Sequence, residues 1–157
     1  IGEIVAAYCN GYYLNYLRKG EKFPDFDFAD LNGNHYTSQT TKGKIVVIKF
    51  WFINCTNCVL EMPKCNQILE EYRDRKDILF LSLAFDSPKK LKQFLTRKKF
   101  NMPVIPVKEN YIEQTLKVYS FPTIMIINRH GQIANICNSI DDFEHIAKNL
   151  KLNLPKT

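Results

Sequence analysis

A chain of 157 residues suits one compact domain, and a hydrophobic content of 45% can fill a core. No stretch is long and apolar enough to cross a membrane, and the net charge of +6 comes with no nucleic-acid-binding motif. Five cysteines, an odd number, argue against a fully paired disulfide framework.

The first residue is Ile1 rather than Met, so the chain reads as a mature or excised piece. Residues 2–18 have helical spacing, with Ile4, Val5, Tyr8, Tyr12 and Leu14 roughly periodic and Gly20 and Pro24 beyond the end. They lack the basic lead and cleavage motif of a signal peptide. We expect a helical extension over 1–20, a remnant of a larger protein, and a domain over 21–157.

"FPDFDFADLNGNHYTS" alternates around Asn32-Gly33, which predicts a hairpin. "KIVVIKFWF" is dense in β-branched and aromatic residues, the pattern of a buried central strand. "VLEMPKCNQILEEYRDR" has helical spacing, with Leu60, Ile68, Leu69 and Tyr72 expected on the inner face. Pro63 should kink that helix, because it lacks an N–H and clashes with the preceding turn. "ILFLSLAF" is a second buried strand. "SPKKLKQFLTRKKF" follows as an amphipathic helix with Lys89, Lys90, Lys92, Arg97, Lys98 and Lys99 on a solvated outer face. "MPVIPVK" is a short extended piece, and residues 109–118 read as another helix. "TIMIIN" is a strand, Gly131 turns the chain and "QIANIC" pairs back. "DDFEHIAKNL" closes the domain as a helix, with acidic residues at its N-terminus as the dipole favours. Strands alternating with helices in this order predict an α/β domain with a mixed sheet covered on both faces.

The chemistry concentrates in "FWFINCTNCVLEMP", where Cys55 and Cys58 bracket Thr56-Asn57 at a strand-to-helix junction. The first turn of a helix offers unpaired N–H groups and the positive end of the dipole. A thiolate there is stabilised, and its pKa falls below the free value of about 8.5. Cys55 would sit at that end as the nucleophile. Cys58, one turn deeper, would resolve the mixed disulfide. Two buried thiols without chemistry is the plain alternative. A metal site is another, but it needs further ligands. Cys65 is the nearest, and His35, His130 and His145 are scattered without ligand spacing. Cys65 shares a helix face with Cys58 at roughly 10.5 Å along the axis, too far for a disulfide. Cys65 and Cys137 read as core thiols, and a link from Cys9 to a missing domain is left open.

The Phe-Trp before the pair, the Cys-x-x-Cys itself and the later "SFPT" together resemble the thioredoxin fold. More closely, they resemble the TlpA/ResA-like thiol–disulfide oxidoreductases, over about residues 21–150. The resemblance implies a thioredoxin-like fold with an N-terminal hairpin and a central βα insertion. It implies a cis proline at Pro122, with Phe121 pairing to a bound peptide and Trp51, Asn54, Thr56 and Asn57 around the substrate groove. Glu61, three residues after Cys58, matches a family glutamate near the thiols and is a candidate proton carrier. The implied partners are thiol- or disulfide-bearing proteins and an upstream electron donor. No metal or organic cofactor is required, because the electrons come from the Cys55 and Cys58 dithiol. The implied setting is extracytoplasmic, the periplasm or cell envelope of a bacterium, with a membrane tether through sequence before Ile1. We expect a monomer that more readily reduces disulfides than introduces them.

Three positions depart from the family pattern. Asn54 stands where many relatives have Trp, Thr56-Asn57 where many have a proline, and Lys49 where thioredoxin itself has a buried acid. The residues around the pair tune its potential, so these changes bear on the direction of exchange. A lysine pointing at the pair would favour thiolate. Two other readings are weighed. A peroxiredoxin-type peroxidase shares the "PDF" opening but needs a threonine three residues before its cysteine, where this chain has Phe52. A binding module or copper chaperone of this fold spaces its cysteines by three and adds a distant histidine, whereas the spacing here is two.

Overall fold

A computed structural model describes residues 18–149. The expected helix over 2–18 and Cys9 lie outside the described residues, apart from Arg18, which begins a turn. Strands β1 (Asp27–Ala29) and β2 (His35–Thr37) form the antiparallel hairpin read from Asn32-Gly33. Gly33 has φ +84°, a conformation that costs any residue with a Cβ. The turn is held by the Asp30 carboxylate, which accepts from the backbone N–H of Asn32 and Asn34 and from the Tyr36 hydroxyl at 2.9–3.0 Å.

Among the described residues, the main sheet has five strands in the order β5-β4-β3-β6-β7. These are β3 (Ile45–Trp51), β4 (Ile78–Ala84), β5 (Val104–Pro106), β6 (Thr123–Ile127) and β7 (Ile133–Cys137). β3, β4 and β5 run parallel, and β6 and β7 are antiparallel to their neighbours. The sheet is therefore mixed, with β3 at its centre. Period-two alternation sends Val46, Ile48 and Phe50 to one face, where they pack with Phe28, Leu81, Leu83 and Met125. Val47 and Trp51 go to the other, packed under Ile68 and Phe143 or Met62 and Leu91. Lys49 lies between them on this second face.

Among the described residues, four helices cover that second face: α1 (Thr56–Leu60), α2 (Met62–Glu71), α3 (Pro88–Leu95) and α4 (Ile140–Asn149). The first face is closed by the hairpin and by a π-helical turn over Tyr111–Thr115. The helix expected over 109–118 is thus shorter and wider than its spacing suggested. The Leu116 N–H reaches back to the Tyr111 carbonyl at 3.1 Å, and the Val118 N–H to that of Ile112 at 3.0 Å. This wider winding lets Ile112, Leu116 and Val118 all face the core.

The proline kink divides one expected helix into two. α1 ends at Leu60, the chain turns at Glu61, and Pro63 occupies the first turn of α2, where a missing N–H is tolerated. The break changes the helical phase. Leu60, expected on the inner face, is 70% exposed, whereas Ile68 and Tyr72 are buried as expected, joined by Met62 and Cys65. Asp77, just before β4, anchors the end of the sheet away from the cysteines. It is bound by Arg75 at 3.0 Å and by Arg129 at 2.7 Å.

Candidate redox site

Strand β3 ends under the helices and delivers the chain to Cys55 through Phe52, Ile53 and Asn54. Two contacts fix this short connection. The Ile53 N–H donates to the Asp86 carboxylate at 2.8 Å. The Phe52 ring stacks on Phe85 at 4.9 Å between centroids and meets Phe121 edge-on at 5.4 Å. Phe85 and Phe121 also touch, at 5.5 Å. The ends of β3 and β4 and the loop before β6 are thereby held together by one aromatic cluster. The spacing of the sequence carries no signal for Phe85 or Asp86, because both reach the site only through the pairing of β3 with β4.

Cys55 is the N-cap of α1, and its sulfur accepts from the Cys58 N–H at 3.3 Å. The two cysteines form a disulfide with their Cα atoms 5.3 Å apart. Cys55 is 7% exposed and Cys58 wholly buried, so a partner can approach only the first sulfur. Thr56, Asn57 and Asn54 are exposed around it. The Phe121–Pro122 peptide is cis. The loop carrying it is closed by the Thr123 hydroxyl, which donates to the Ser120 carbonyl at 2.7 Å.

Trp51 requires a correction. It was expected along the groove, but it is fully buried, with its ring against Phe94 at 5.7 Å and Phe100 at 5.4 Å. As the last residue of β3 on the helix-covered face, it supports the redox helix from beneath. The rim instead includes Leu60, put outside by the kink, which lines a pocket of about 360 Å³ with Asn57, Glu61, Lys64, Pro122 and Asn138. A larger concavity of about 840 Å³ lies at the far end of the sheet near Lys22, Val46 and Arg129 and contains no candidate site residue.

Glu61 and Lys49 meet. The Lys49 ammonium, wholly buried, donates to Glu61 Oε2. Glu61 Oε1 accepts from the Ile140 N–H at the start of α4 at 2.8 Å. The Glu61 side chain keeps 14% exposure, toward the pocket. The Lys49 charge also acts on the Cys65 thiol, lowering its pKa. Burial pushes the Cys65 thiol up to about 11, against the pull of Lys49, and pushes Cys137 up to about 12. Both are free, buried thiols. Among the described residues, no group of three or more His, Cys, Asp and Glu side chains is placed to hold a metal.

The arrangement has relatives. The AhpC/TSA family model matches residues 19–136. The chain is 30% identical over 122 residues to the thioredoxin-like protein YneN of Bacillus subtilis, covering 76% of this chain and 71% of that one. It is 26% identical over 133 residues to the thiol–disulfide oxidoreductase ResA of Geobacillus kaustophilus, covering 84% and 76%. Among solved structures it is similar to the exposed lipoprotein thioredoxin of Streptococcus pneumoniae. That match has a TM-score of 0.71 and 25% identity, covering 82% of this chain and 98% of that one. The thioredoxin domain of a Bacteroides vulgatus thiol–disulfide oxidoreductase shares the fold, with a TM-score of 0.72 and 22% identity, covering 84% and 96%. Neither the peroxidase nor the binding-module reading is favoured by these relatives. A Cys-x-x-Cys disulfide at a helix N-terminus on a thioredoxin-like sheet places this chain in the AhpC/TSA family, among its thiol–disulfide oxidoreductases.

Proposed function

We propose that this protein reduces disulfides of partner proteins, with Cys55 as nucleophile and Cys58 as resolving thiol. The observation that carries the reading is the asymmetry of the pair. Cys55 caps a helix N-terminus, where a thiolate is stabilised, and keeps the little exposure the pair has. Cys58 lies buried one turn below, within reach of Cys55 but not of a partner. The exposed Leu60, Thr56 and Asn57 supply a mixed rim for a protein surface rather than an enclosed cavity for a small molecule. Phe121 supplies backbone to which an extended peptide can add as a strand, with Pro122 shaping that side of the groove. Glu61 carries protons to and from Cys58.

The dithiol supplies both electrons, so neither metal nor organic cofactor enters, and an upstream dithiol donor must regenerate it. In our reading the protein works outside the cytoplasm, in a bacterial envelope, as a membrane-tethered monomer. The test is Cys58→Ser incubated with a disulfide-bearing protein substrate. We expect a mixed disulfide trapped on Cys55, and reduction of the same substrate by the reduced wild type. No trapping together with no reduction overturns the reading.

A further inference from the structure

Lys49 is the least expected side chain in the interior. A primary ammonium with no exposure at the centre of the middle strand is costly unless a negative charge compensates it. Its partner is Glu61, which forms the C-cap of the redox helix three residues after Cys58. The same carboxylate caps the Ile140 N–H and opens to the pocket beside Pro122. The pair thus spans from the sheet interior, at the end of the helix that carries Cys58, to the pocket.

We propose that Lys49 is a positioning residue for thiol–disulfide exchange, acting through Glu61 as the fixed counter-charge for proton transfer from Cys58. This rests on the reading of Cys55 and Cys58 above. In the first step the Cys55 thiolate attacks a partner disulfide, forming a mixed disulfide and releasing one partner thiolate. In the second, the Glu61 carboxylate takes the proton of the Cys58 thiol. The Cys58 sulfur attacks Cys55 Sγ, the protein disulfide closes, and the second partner thiolate leaves. Glu61 returns its proton through the pocket to that thiolate, and the other partner thiolate takes one from solvent. Two electrons pass from the protein dithiol to the partner disulfide. Negative charge moves from Glu61 to Cys58 and away again while the Lys49 ammonium stays in place. The buried site therefore keeps one cation and one anion before and after proton transfer, and no bare charge is left in low dielectric.

Besides Cys58, on the helix that Glu61 caps, the ionisable groups around the pair are Cys65 and Lys64 on α2, Cys137 on β7, and Asp141 and Asp142 at the start of α4. Lys64 is engaged with Glu144 at 3.1 Å. Lys49 is the cation in direct contact with Glu61.

The experiment mixes reduced protein with an aromatic disulfide whose thiolate is coloured. The first equivalent of colour reports attack by Cys55, and the second reports resolution by Cys58. In Lys49→Met we expect the pH profile of the second phase to move up by at least about one unit, roughly tenfold slower at pH 7. The first phase should move less. Lys49→Met/Glu61→Gln, with no buried charge, should recover folded stability relative to Glu61→Gln and still resolve slowly. It carries the same test if Lys49→Met does not fold. Coincident second-phase profiles for wild type and Lys49→Met, or a double variant that regains the wild-type second phase, overturn the proposal. A wild type with no first phase overturns the underlying exchange reading instead.

Discussion

Asp77→Asn separates the stability of the fold from the chemistry of the site. Asp77 lies where β4 begins, while Cys55 follows the opposite end of β3. Its carboxylate is 4% exposed and takes Arg75 Nε and Nη2 at 3.0 Å each and Arg129 Nη2 at 2.7 Å. Arg129 also donates to the Gly43 carbonyl at 3.0 Å, so the cluster joins the turn before β3, the start of β4 and the turn after β6. Asparagine keeps the size and one acceptor but loses the charge. Charge-assisted bonds are each worth about 1.5–3 kcal/mol. The arginines are 20% and 41% exposed and can recover water, which lowers the net loss to about 2 kcal/mol. For a domain of this size that is a fall of roughly 4–8 °C in Tm. The hydrogen bonds from Arg75, then the one from Arg129, hold the Asp77 carboxyl well below its ordinary 3.8. A depressed folded-state value adds stability that is complete above the unfolded value and lost as pH falls toward the folded one. The gap between wild type and variant, measured by thermal melts, should therefore be widest near neutrality and narrow below about pH 4. Disulfide reduction at 25 °C should be unchanged. A gap that stays constant from neutral to strongly acid pH, or no gap at pH 7, refutes the charge argument.

Other consequences are open to direct measurement. In the native protein at pH 8, Cys65 and Cys137 should resist alkylation, because burial pushes their thiols up to about 11 and about 12. After reduction Cys55 should label first by mass spectrometry, with Cys65 and Cys137 labelled fully only in denaturant. Phe52→Ala removes a half-buried ring shared by Phe85 and Phe121. It should cost about 2–3 kcal/mol and, by loosening Phe121, raise KM for a protein disulfide more than it lowers kcat. Gly33→Ala forces a Cβ into φ +84° with open space around it. The cost should be backbone strain alone, about 1 kcal/mol, seen as a fall of roughly 2–4 °C in Tm with exchange unaffected.

Much of the architecture was legible in the chain because its signals are local. Asn32-Gly33 demands a turn, "KIVVIKFWF" is too apolar and branched for anything but a buried strand, and the acidic start of "DDFEHIAKNL" matches a helix dipole. Cys55 and Cys58 declare themselves by spacing. Pro63 announced a kink, but not its effect. Leu60 ends α1, whose inward residue is Cys58, and α2 restarts at a new phase set by the packing of Met62 and Cys65.

The groups that complete the site come from separate elements. Phe85 and Asp86 arrive because β4 lies beside β3 in parallel register. Ile140 arrives because β7 returns antiparallel and starts α4 over the kink. Lys49 was visible as an odd residue in a buried strand, and its alternation with Val47 and Trp51 put it on one face. Only the packing of the kinked helix over that face gave it a carboxylate. Residue type and spacing along the chain determine which thiols can react. Which charge stands behind them depends on long-range burial, since only in the assembled core must an ammonium find its anion.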